Sequence, residues 1–185
     1  MRRTMLLLVM SLVMLAAEVT TALSAASRCP NPMFRLDAAG DVGSAGGGAD
    51  ITAVGVDCTS STVRFRVTFA KAPPLLPSDQ MLIIIDVPPA AASPYGRAFS
   101  DYTLAVRGTQ STGTVTSVTK PRWSFPVLTA RSAVSFSINR KKLGNPASFR
   151  FIVAMHRYQG DAVMAYVDTA PDRETQGTFS YRFPK

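Results

Sequence analysis

Three aspartates stand where strand-like runs meet loops: Asp86 closes the run Leu82–Asp86, Asp101 precedes Tyr102–Val106, and Asp172 follows Tyr166–Asp168 after Thr169-Ala170-Pro171. Carboxylate oxygens in such places either coordinate a hard cation or accept hydrogen bonds from loop amides. Calcium is the ion they suit, because it takes about six to eight oxygens in flexible geometry. No continuous helix–loop–helix calcium loop occurs in the chain. Asp86, Asp101 and Asp172 are therefore the expected metal ligands only if the fold brings them together, and loop fixation is the other use open to them.

Groups for catalysis are scarce. The chain has one histidine, His156, with no Gly-x-Ser-x-Gly elbow to suggest a nucleophilic triad. Beyond Glu18 the only glutamate is Glu174, so paired-carboxylate glycoside hydrolysis would rest on aspartates alone. His156 ends the apolar run Phe149–Met155 and reads as an ordinary strand-end residue. The expectation is a protein that is not an enzyme, with no catalytic residues and no required cofactor apart from the calcium the aspartates would suit.

Aromatic rings are the usual contact surface for sugars, since they stack on the apolar faces of pyranoses. Tyr95, beside Gly96 in a proline-rich stretch, and Trp123, the only tryptophan, are the expected ligand-binding pair. For Trp123 a place in the core is the competing reading.

The address is written at the N-terminus. Met1-Arg2-Arg3 carries positive charge, Met5–Ala17 is apolar but for Ser11, and small residues gather before Ser27. That apolar run is shorter than the roughly 20 residues of a spanning helix, so residues 1–26 read as a secretory signal peptide with no stable membrane insertion after cleavage. Secretion, or retention in the cell envelope, follows. In an oxidising compartment the two cysteines, Cys29 and Cys58, are expected to form a disulfide.

The formal charge of +8 includes Arg2, Arg3 and Glu18, and the remainder is still basic. Much of it is arginine at alternating positions such as Arg64 and Arg66, the pattern of a solvated sheet face. A positive field also attracts polyanions, which makes a polysaccharide or an anionic cell-envelope polymer the expected partner. Nucleic acid suits the charge equally, but export and the lack of a recognisable nucleic-acid motif argue against it.

The elements that must position these groups are strands. Residues 27–48 form an N-terminal segment with a Gly-rich loop at Gly46-Gly47-Gly48, and residues 49–185 form the main domain, with a strand contribution expected from 33–37. Thr62–Phe69 alternates with Val63, Phe65, Val67 and Phe69 on one side and Arg64 and Arg66 on the other. Met81–Val87 is apolar at nearly every position and reads as a central strand. Gly113–Thr119 and Arg122–Leu128 read as a hairpin near an edge because of Pro121 and Pro126. Short strands at this spacing, about nine or ten of them, predict an all-β, two-sheet antiparallel sandwich of the jelly-roll kind.

Asp37-Ala-Ala-Gly-Asp41, Ala49-Asp-Ile-Thr-Ala-Val54, Ile85-Asp86 with its loop to Asp101-Tyr102, Lys142-Leu-Gly144 and Asp168-Thr-Ala-Pro-Asp172 occur in that order. In this the chain resembles the family 9 carbohydrate-binding modules and the related DOMON-like sandwiches of secreted bacterial proteins, over most of residues 33–183. The resemblance implies a non-catalytic binding or interaction module. It departs from the family pattern after Asp86, where Pro88 stands in place of a second aspartate and Tyr95-Gly96 in place of a Thr-Gly element. A structural, envelope-associated sandwich without a small ligand is the alternative, and a hydrolase the second.

Overall fold

The computed structural model describes residues 32–42, 49–87, 101–159, 162–171 and 177–184. The expected signal peptide, Cys29, Tyr95 and Asp172 lie outside the described residues. Among the described residues there are eleven strands: β1 (Met33–Leu36), β2 (Ile51–Cys58), β3 (Thr62–Phe69), β4 (Asp79–Asp86), β5 (Tyr102–Arg107), β6 (Thr112–Ser117), β7 (Trp123–Ala130), β8 (Ala133–Asn139), β9 (Ser148–Gln159), β10 (Ala162–Ala170) and β11 (Phe179–Arg182). A 3-10 turn, Arg140–Leu143, follows β8, with Asn139 accepting from the Lys141 amide at its start and left-handed Gly144 at its end.

Every pairing is antiparallel, and the strands run β1-β2-β3-β8-β7-β6-β5-β4-β9-β10, with β11 on the side of β9. The sheet is nearly closed into a barrel. The spacing of short strands predicted two separate sheets, but β7 joins the halves: residues 123–126 pair with β6 and residues 127–130 pair with β8. Pro126 stands at the changeover. Lacking an N–H, it is tolerated where the ladder changes partner, so here proline marks a corner between sheet halves rather than an edge.

The alternation read from Thr62–Phe69 is what fills the interior. Val63, Phe65, Val67 and Phe69 are all but inaccessible, while Arg64 and Arg66 point out. The Phe65 ring lies 5.5 Å from Phe136, 5.9 Å from Phe149 and 5.6 Å from Phe151, so one side chain on β3 ties β8 to β9 across the interior. On β4, Met81, Ile83 and Ile85 are buried between β5 and β9, whereas Leu82 and Ile84 are only half-buried on the other face.

Candidate functional site

Two of the residues singled out for metal binding, Asp86 and Asp101, hold partners within the fold. Asp86, at the end of β4, is buried and accepts from the guanidinium of Arg150, its register partner on β9, with Nε at 3.0 Å from Oδ2. Asp101 Oδ2 accepts from the Val87 amide at 2.7 Å and so holds together the two ends of the segment between β4 and β5. Trp123 is half-buried at the start of β7, with its ring 6.3 Å from Phe125 and Lys142 Nζ 5.7 Å from its centroid. His156 lies inside β9, not at its end, because the ladder continues past the apolar run through polar pairs. Arg157 Nε reaches Asp79 Oδ1 at 3.1 Å and the Tyr158 hydroxyl donates to Gln80 Oε1 at 2.7 Å. Burial lowers the pKa of His156 below its ordinary 6.5.

Three other aspartates do converge. Asp37, Asp41 and Asp168 each offer a carboxylate oxygen, and these atoms lie within 4.8 Å of one another. Asp37 and Asp41 bracket the turn after β1, in which Gly40 adopts a positive φ and donates its N–H to Asp50 Oδ2 at 2.9 Å. Asp168 comes from β10 and is buried. Its Oδ2 accepts from the Ile51 amide at 2.6 Å and its Oδ1 from its neighbour Thr169 at 2.7 Å. Register shifts flank it, between Tyr166 and Asp168 on β10 and between Ile51 and Ala53 on β2. Such bulges re-aim side chains. Here they turn a carboxylate toward the seam between β10 and β2. Three hard oxygens are half or fewer of those calcium takes, and exposed Asp41 leaves the rest to water or carbonyls.

A concavity lies elsewhere, on the outer face of β1, β2, β3, β8 and β7. It is a groove of about 820 Å³. One cross-strand row runs Phe34, Gly55, Arg66, Ser135, Leu128, each residue opposite the next in register. A second row runs Asp57, Arg64, Ser137. Phe34 and Leu128 are 60% and 67% exposed, so two apolar walls stand at the ends of a polar floor. Neither Arg64 nor Arg66 makes an ion pair with a described residue. Period-two alternation placed both arginines outward, but the partners that make a groove of that face come from β1, β7 and β8, which no local pattern connects to β3.

Comparison with protein-family models, with curated proteins and with solved structures gives no match for this chain. No helix among the described residues is long and apolar enough to cross a membrane.

Proposed function

We propose that this chain is a secreted, non-catalytic binding module, built on a jelly-roll-like sandwich of the kind its motifs resemble, and that it binds polysaccharide. The groove on the outer face carries this reading. Ligand sites are concave, typically about 300 to 1,000 Å³, and combine apolar walls with a few placed polar groups. This groove has that size and that make-up, with Phe34 and Leu128 as walls and arginine and serine on the floor. Ring faces of sugars are apolar and their rims carry hydroxyls, so such a surface suits them. Glycoside hydrolysis uses a pair of carboxylates, and Asp57 is the single carboxylate among the described residues lining the groove, which supports a binding role over a hydrolytic one.

Affinity electrophoresis of the protein through gels containing neutral and charged polysaccharides tests the reading directly. Retardation on at least one glycan is expected. Free migration on all of them would leave the envelope-associated structural role as the better account, and release of sugar from any of them would move the chain to the hydrolases.

A further inference from the structure

Resting on that reading, we propose that the polysaccharide is acidic and that Arg64 and Arg66 bind its carboxylates, while Gly55 keeps the floor between Phe34 and Arg66 open for the chain. Successive same-side residues on a strand lie about 7 Å apart, so the two arginines leave the backbone side by side on one face. Each presents a planar fork that takes a carboxylate through two parallel hydrogen bonds, a geometry that an ammonium cannot copy. Both are exposed, and the structure spends neither on an internal ion pair. An outward arginine with no carboxylate partner is common on a sheet. Two of them on the floor of a walled groove are better explained by a ligand.

The neighbours of these arginines narrow the chemistry. Ser137 and Ser135 lie directly across β8 from Arg64 and Arg66, and Asp57 lies across β2 from Arg64. Hydroxyls beside a guanidinium suit a ligand that alternates charge with hydroxyl groups. Asp57 sharpens this, because its carboxylate accepts hydrogen bonds from sugar hydroxyls but repels a backbone charged at every unit. A polyphosphate or nucleic acid would place a phosphate beside it, whereas a chain of uronic acids can turn a hydroxyl toward Asp57 and a carboxylate toward Arg64.

Gly55 is the remaining element. Glycine weakens a strand and often marks close approach of another molecule. No fold contact explains it here: a Cβ built at Gly55 meets nothing nearer than 3.7 Å and the backbone φ is not positive. The position is therefore open to larger side chains as far as the fold is concerned. In the outer row, however, Gly55 lies between Phe34 and Arg66, so any side chain there would fill the middle of the groove.

The test uses protein expressed from the full-length sequence, titrated calorimetrically with a polyuronate, a sulfated glycan, a neutral glucan and inorganic polyphosphate. Polyuronate is expected to bind most tightly and to weaken as salt rises. Arg64→Gln and Arg66→Gln should each weaken it at least about tenfold, the loss expected for hydrogen bonds between charged groups. Gly55→Leu should abolish binding while leaving the melting temperature at or above that of the parent, and this separates a blocked groove from a damaged fold. Equal affinity for neutral glucan, unaffected by the arginine changes, would overturn this inference and leave the polysaccharide reading intact. Preference for the sulfated glycan or for polyphosphate would overturn it in favour of that anion. Binding to none of the four would overturn this inference, and the polysaccharide reading falls only if the wider glycan gels also show no retardation.

Discussion

The Asp168 carboxylate on β10 accepts a hydrogen bond from the backbone amide of Ile51 on β2, at 2.6 Å and across 117 positions of sequence. These strands lie toward opposite ends of the strand order, so the bond crosses the seam at which the sheet approaches closure. It does with one side chain what a ladder does elsewhere. Removing it leaves the Ile51 amide, wholly buried with its residue, without that acceptor.

Asp168→Ala is therefore expected to destabilise the protein by about 2 to 4 kcal/mol, since hydrogen bonds to a charged acceptor and a stranded buried donor both count. Asp168→Asn keeps one acceptor oxygen and should cost less. Urea denaturation of the two variants checks the order. Equal costs would show that the amide bond is not what the carboxylate contributes.

Asp168 also sits within 4.8 Å of the carboxylates of Asp37 and Asp41. Like charges so close oppose folding unless something neutralises them. Calcium is expected to raise the melting temperature of the parent, and Asp41→Asn to remove that increment without touching the Ile51 bond. At a hundredfold excess over its dissociation constant a bound ion adds about 2.7 kcal/mol. For a domain of this size that is about 5 to 10 °C. Differential scanning calorimetry with calcium and with chelator reads it, and a calcium increment that survives Asp41→Asn would place any bound ion somewhere else.

Why this cluster escaped the sequence while the strands did not has a physical explanation. Period-two alternation is local, so Val63, Phe65, Val67 and Phe69 announced both the extent and the facing of β3, and β3 runs from Thr62 to Phe69 as read. Convergence of Asp168 with Asp37 and Asp41 depends on two bulges and on the path of the whole sheet, and neither leaves a local mark. Asp86 and Asp101 shared the correct signal, a carboxylate at a strand end, but the structure gives one to Arg150 and the other to the Val87 amide. Strands outrun their apolar patterns where polar pairs extend a ladder. Asp79–Arg157 and Gln80–Tyr158 carry β4 and β9 beyond their apolar runs, because a satisfied polar pair in register continues a strand as well as an apolar one does.

His156 provides a pH signature. Burial lowers its pKa below the ordinary value, so as pH falls the unfolded chain takes up the proton first. Its contribution is complete above about 6.5 and is lost as pH drops from there through the lowered folded value. Its register partner on β4 is Gln80, and the Asp79–Arg157 pair lies beside it. Replacement by His156→Gln is expected to flatten that part of the stability profile while the carboxylate-driven loss at lower pH persists. Denaturant titrations of both proteins between pH 7.5 and 5, conditions chosen to span about the histidine range, would show parallel curves if the histidine were uninvolved.

Gly113 is held by the core rather than by a turn. It faces Phe125 across β6 and β7, and a Cβ there would intrude on the Phe125 ring and stand 2.9 Å from the Ala105 carbonyl oxygen. Gly113→Ala should cost about 1 to 3 kcal/mol through overpacking, despite the alanine being the better strand former. Combining it with Phe125→Leu tests the cause, because a smaller neighbour should absorb part of the penalty. A purely additive double mutant, measured by denaturation, would assign the cost to the Ala105 backbone contact alone.

Cys58 ends β2 and is 1% exposed, while its expected partner Cys29 precedes the described residues. A disulfide between them closes a loop on the order of 30 residues, worth about 3 to 4 kcal/mol in the chain-entropy model. Protein recovered after export is expected to begin near residues 25 to 27 and to weigh one pair of hydrogens less than its reduced form. Reductant should then lower stability by about 3 kcal/mol, and Cys29→Ser should reproduce the loss without reductant. Intact-mass spectrometry before and after reduction settles both points together, since an unprocessed N-terminus would remove the oxidising compartment on which the bond depends. A processed chain with unchanged mass on reduction would instead leave Cys58 to act through packing alone, and Cys29→Ser would then be silent.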